Sequence, residues 1–158
     1  MVLRLGVLLL WSVSAWAADD HLEGTGDKAI EQPLLRPKLG LKVARTPFPI
    51  SGLTPAAQAH FNQASAALHG FWIFEAERNY RECIRLQPDH PIPYAFAAYA
   101  QWVFGSGDTK RGALYLKEAN AKQRAAKYAL TESESLWMQA INARYDTTIK
   151  AEDRAKRF

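Results

Sequence analysis

The feature that most constrains this chain is where its helix breakers fall. All eight prolines lie between Pro33 and Pro93, and the last of the nine glycines is Gly112. From Ala113 to Phe158 no residue removes a backbone donor or loosens the backbone in the way that ends a helix. Nothing in the chain alternates with period two between turns, so the expected class is all-α. Its 158 residues suffice for one ordinary domain. The single cysteine, Cys83, allows no intramolecular disulfide and no zinc site with two or more thiolates. Apolar packing must therefore hold the domain, and an apolar content of 48% is enough to build it.

Three segments follow from the pattern. Residues 1–17 read as a secretory signal: Arg4, the apolar run Leu5 to Trp11, then Ala15-Trp16-Ala17 as a small-x-small cleavage site. That run is about half the ~20 residues of a spanning helix, so the expectation is an exported product, periplasmic or extracellular, with no stable membrane span after processing. Residues 18–52 contain Pro33, Pro37, Pro47 and Pro49 and little apolar periodicity, and read as a linker or extended arm. Its apolar residues, among them Leu34, Leu35, Leu39, Leu41, Phe48 and Ile50, are the ones that would dock any part of it. Residues 53–158 carry the helical domain. A net charge of +4 without a dense basic stripe argues against nucleic acid, since the longest cluster is only Arg154, Lys156 and Arg157.

Within that domain the punctuation is explicit. Thr54 caps a helix that Pro55 opens and Gly70 ends, with Phe61, Ala64, Ala67 and Leu68 along one stripe. A second helix is expected over 71–86, with Phe74, Ala76, Tyr80, Cys83 and Ile84 inward and the pairs Glu77/Arg81 and Arg78/Glu82 on a salt-bridged outer face, stopped by Pro88. Pro91 and Pro93 start a third through Trp102. Asp108 is the expected cap of a fourth over 109–129, with Gly112, Leu116, Ala119, Ala126 and Leu130 inward. Thr131 and Glu134 have the spacing of a capping box that opens a fifth helix to about Tyr145, and a sixth should start at Ile149.

Helices arranged in pairs invite a test for a repeat. Phe61, Ala64, Ser65 and Leu68, followed by Ala76, Tyr80, Cys83 and Pro88, match the spacing of a tetratricopeptide unit, one residue short between Phe61 and Ala76. Small residues let the two helices approach while Phe61, Leu68 and Tyr80 fill the flanks. Tyr94, Ala97 and Ala98 restart the pattern, which resumes at Gly112, Leu116 and Ala119. Trp137, Ala140 and Ile141 carry a fainter third copy. On these residues the chain resembles the tetratricopeptide repeat family, in particular its exported bacterial members. The resemblance implies antiparallel helix hairpins stacked as a short right-handed solenoid, whose first helices line a concave groove for a protein or peptide partner. On that implication Asn62, Ala66, His69, Ala95, Tyr99 and Trp102 line the groove.

The search for chemistry returns no metalloprotease, nucleophile-elbow, P-loop, C-x-x-C or haem-attachment motif. His60 and His69 lie too far apart along one helix to share a metal, while His21 and His90 read as linker and turn residues. No catalytic residue, metal or cofactor is expected. Most of the aromatics from Phe71 to Phe104 are expected in the core. The resulting expectation is an exported interaction scaffold, with the N-terminal helical module of a longer exported enzyme or redox protein as the alternative, and a helical subunit with a reactive Cys83 as a third. A repeat array needs about three stacked units and polar caps, so either homo-oligomerisation or further chain is expected to cover the open C-terminal end.

Overall fold

A computed structural model describes residues 34–41, 47–103, 109–149 and 153. The expected signal, the Asp108 cap and most of the expected sixth helix lie outside the described residues. Ile149 sits in a bend and Asp153 is helical.

Among the described residues five helices have full bounds, and they start close to where the punctuation places them: α1 (Pro55–His69), α2 (Ile73–Leu86), α3 (Pro91–Trp102), α4 (Thr109–Arg124) and α5 (Glu132–Tyr145). No strand occurs among the described residues. Thr54 Oγ1 accepts the Ala57 N–H at 3.3 Å, and Pro55 stands at the first helical position, where a missing donor costs nothing. Glu134 N–H donates to Thr131 Oγ1 while Glu134 Oε2 accepts from Thr131 N–H at 2.8 Å, which closes the capping box of α5.

Two helix ends differ from the sequence expectation, for one reason. At the end of α1 the Trp72 N–H reaches Ala67 O at 2.9 Å and the Phe71 N–H reaches Leu68 O at 3.1 Å, the paired bonds of a Schellman turn. That turn needs a left-handed residue one place beyond Gly70, and Phe71 supplies it with φ of 63°. Hence α2 begins at Ile73 and not at 71. In the same way Ala126, with φ of 53°, turns the chain out of α4, so the helix stops at Arg124 and not at 129, and Ala126 is exposed.

Each helix packs on the next through α4, and α5 returns to α3. Ala57, Ala64, Ala67, Ala76 and Cys83 are fully buried between α1 and α2, where small side chains let the axes approach. Ser65 and Tyr80 join across that interface, hydroxyl to hydroxyl at 3.2 Å. Of the residues that define the repeat pattern, Phe61, Ala64, Ser65, Leu68, Ala76, Tyr80, Cys83, Tyr94, Ala97, Ala98, Leu116 and Ala119 are buried. Pro88 is exposed in the turn after α2. Gly112 is needed for a close approach, since a Cβ there would collide with the Tyr145 hydroxyl, which donates to Ala98 O at 2.7 Å and ties α5 to α3.

The α2 surface corrects a second expectation. Glu77 does not lie on an outer face; it is 1% exposed. Its carboxylate accepts from Gln101 Nε2 at 2.7 Å and from the Tyr115 hydroxyl at 2.8 Å, and pairs with Arg111 at 3.3 Å. This buried group locks α2 to both α3 and α4. Hydrogen bonding to every side of such a charge is what offsets the cost of taking it out of water. The expected Glu77/Arg81 pair forms at 3.8 Å, though on a buried carboxylate, and Glu75–Arg78 and Glu82–Arg85, each three residues apart at 2.7 Å, stand in place of Arg78/Glu82.

Candidate functional site

Phe48 lies where α1, α3 and α5 meet. Its ring stacks on Phe61 of α1 at 6.0 Å, tilts against Phe96 of α3 at 5.5 Å and meets Trp137 of α5 edge-on at 6.2 Å. Tyr99 closes the group, with its ring 6.0 Å from Trp137. The segment assigned to an arm is therefore part of the packed structure: Ile50 is buried and Phe48 half-buried.

What holds the arm is main-chain recognition by side-chain amides of α1. Gln58 Nε2 donates to Phe48 O at 2.8 Å, and its Oε1 accepts the Ile50 N–H at 2.9 Å. Asn62 Oδ1, one turn on, accepts the Phe48 N–H at 3.3 Å and is aimed by a second bond from Gln58 Nε2 at 2.8 Å. Gln63 does the same for the earlier part of the arm, accepting from the Gly40 and Leu41 amides at 2.9 and 3.2 Å and donating to Lys38 O at 2.8 Å. Gly40 has φ of 110°, a conformation that suits glycine and bends the chain around the Gln63 amide. Gln63 is in turn bonded to the buried Asn79 of α2, and Arg78 donates to Leu35 O at 2.8 Å.

At the end of the arm a polar staple fixes residues 51–54. The Ser51 N–H and hydroxyl both donate to Glu134 at 2.6 Å. His90 caps α3 by accepting the Ile92 N–H on Nδ1, so its proton sits on Nε2 and is donated to Ser51 O at 2.8 Å. Gln87 donates to Gly52 O at 2.9 Å, and Tyr128 packs its ring against His90 at 4.6 Å. His90 is thus no surface turn residue but a fully buried one. Burial pushes its pKa below the ordinary 6.5, against the opposing pull of Ser51 O and the Glu134 charge. For Glu134 burial works upward, yet the bonds from Ser51 and Thr131 outweigh it and hold the carboxyl below its ordinary value. Ser51, His90 and Glu134 have the residue types of a hydrolytic relay but not its wiring. The hydroxyl donates to the carboxylate and the imidazole to a carbonyl, so the imidazole is not placed as base to the serine hydroxyl as a relay requires.

The residues expected to line a groove have different positions. Asn62 and Tyr99 lie at the Phe48 seat. Ala95 is fully buried and Ala66 nearly so, and neither has surface to offer a partner, because both fall on the side of their helix that packs inward. His69 is exposed at the last turn of α1. Trp102 is partly exposed, with the Arg144 guanidinium over its ring at 4.2 Å. Gln58, Gln63 and Trp137 were not among the expected site residues, although the Gln58/Asn62 spacing of one turn was available as a signal. Phe74, expected on the inward side of α2, is 43% exposed, and Phe71 and Trp72, from the group of aromatics expected to be mostly core, are 70% and 55% exposed around the left-handed turn. The Cys83 thiol is pushed up to about 12 by burial and is inaccessible, which removes the reactive-thiol alternative.

Among the described residues no group of three or more His, Cys, Asp or Glu side chains could hold a metal ion, and no helix is long and apolar enough to cross a membrane. Comparison with known proteins returns no match, whether by family model, by sequence against curated proteins or by fold against solved structures.

Proposed function

We propose that this chain is an exported interaction scaffold of the tetratricopeptide kind. Its hairpins stack as a short right-handed solenoid and bind an extended segment of a partner protein on the face shared by α1, α3 and α5, without a reaction of its own. One observation carries the reading: that face already holds extended polypeptide, gripping main-chain groups through Gln58 and Asn62 and a single aromatic side chain between Phe61, Phe96 and Trp137. Main-chain recognition supplies affinity for any extended segment, and a side-chain pocket supplies selectivity.

Selection of a random displayed peptide library on the full chain tests it. Selected peptides should bind wild type and lose at least tenfold in affinity to Tyr99→Ala and to Trp137→Ala. Peptides that bind both variants as well as wild type, or a library that yields no binder, would contradict the reading.

A further inference from the structure

We infer that residues 47–50 are a resident ligand of the α1/α3/α5 face, and that the partner is an extended segment of the same chemistry, a proline-flanked aromatic followed by an aliphatic residue, which binds by displacing them. The inference rests on the peptide-binding reading and gives it a ligand class and a mode of regulation.

The match between segment and site is residue by residue. The face offers acceptors for two N–H groups, those of Phe48 and Ile50, and one donor, for Phe48 O. Positions 47 and 49 have no partner for an N–H, and both are proline, which has none to satisfy. Proline also holds the segment extended before it binds, which lowers the ordering cost. Pro47 and Pro49 are exposed, so a single aromatic ring and one aliphatic side chain make the apolar contact. That is the economy of a peptide ligand and not of a core strand, whose alternate side chains would face a sheet.

The anchorage on either side lets the segment leave without unfolding the domain. Residues 51–54 are fixed independently by Glu134, His90 and Gln87, and residues 38–41 by Gln63. Neither anchor uses the Gln58 and Asn62 amides that hold Phe48 and Ile50, and the one bond between the segment and the later anchor is Leu53 N–H to Ile50 O at 3.4 Å. Vacating the seat exposes the pocket between Phe61, Phe96 and Trp137 and frees the Gln58 and Asn62 amides, all of which an incoming segment of the same pattern satisfies again.

The test uses the full chain with Phe48→Ala and a labelled peptide of sequence matching residues 44–50. The variant should keep its helical circular dichroism and bind the peptide at least tenfold more tightly than wild type, whose own segment competes. Replacing the peptide's phenylalanine by alanine, or adding Trp137→Ala to the variant, should abolish that gain. Equal binding to wild type and variant, or none to either, overturns the inference, as does loss of the helical signal on Phe48→Ala, because the segment would then be core. A peptide-induced or variant-induced dimer by arm exchange also overturns it. If library peptides bind at Tyr99 and Trp137 while this peptide does not, the peptide-binding reading stands and only the resident ligand falls; if neither binds, both fall.

Discussion

Two groups of aromatic side chains, alike in composition, meet opposite fates in this molecule. Phe48, Phe61, Phe96, Tyr99 and Trp137 come from four separated segments and form one continuous ring cluster at the junction of α1, α3 and α5. Phe71 and Trp72 are adjacent in sequence and stand mostly in solvent, and Phe74, two residues on, is still 43% exposed with the Arg78 guanidinium over its ring. What separates them is register. Phe61 and Phe96 lie on the stripe that their helices turn inward, whereas Phe71 and Trp72 fall between helices, in a turn whose hydrogen bonds are made by backbone alone. Density of aromatic residues along a chain therefore says little about burial; a helical phase has to carry each one inward.

The contrast can be broken first at its strongest point. Phe61→Ala empties a fully buried position and should cost about 3 to 5 kcal/mol in denaturant unfolding, while Phe74→Ser should stay within about 0.5 kcal/mol. Similar losses at both positions would erase the distinction. Phe48 should fall between them, because its ring is half-buried and its segment is held mainly by amide bonds. Phe48→Ala is expected to cost about 1 to 2 kcal/mol, with an unfolding transition that stays cooperative.

The staple beside the inner cluster adds a pH dependence that the exposed turn lacks. His90 is buried and neutral, and its folded pKa lies below the ordinary 6.5. Between those two values the unfolded chain binds more protons than the folded one, so stability is full above 6.5, falls as the pH drops through the window and levels off below it. Glu134 acts in the same direction at lower pH, its contribution being lost as the pH falls from its ordinary 4.5 through its depressed folded pKa. Denaturant midpoints measured from neutral to acid pH should show both steps. His90→Asn, which keeps an acceptor for the Ile92 N–H, should remove only the upper one; an upper step that survives in that variant assigns it elsewhere.

The smallest effect lies in the turn itself. Phe71 occupies a left-handed position that glycine takes without strain, so Phe71→Gly should stabilise the protein by roughly 0.5 to 1 kcal/mol. A loss of stability would mean that the exposed ring contributes packing that its exposure does not suggest.

These particulars also mark what the sequence could convey. Thr54-Pro55, Pro91 and the Thr131/Glu134 box place helix starts because each satisfies backbone groups within its own turn, and such local bonds are written in adjacent residues. The stop of α4 is not, since Ala126 adopts the left-handed geometry usually announced by glycine. Glu77 has Arg81 four residues on and so reads as a surface pair, yet its principal partners, Arg111 and Tyr115, come from 34 and 38 residues away. The candidate site was legible only in part. Asn62 and Tyr99 followed from the resemblance of the helix pairs to a repeat, but the arm is gripped by its main chain, and main-chain hydrogen bonds leave no side-chain pattern to read. Ser51 was hidden for a related reason: its partner Glu134 already has a complete role in the capping box.

The central claim is that residues 47–50 are bound to the domain and not built into it. Native-state amide hydrogen exchange on the full chain tests this most directly, by comparing the Ile50 N–H with core helical amides such as those of Phe61 and Phe96. The account predicts that Ile50 exchanges through a local opening, of lower free energy than global unfolding and insensitive to low denaturant, while the helical amides exchange only with the whole domain. Ile50 exchanging at the global free energy, with the same denaturant dependence as Phe61 and Phe96, would contradict it.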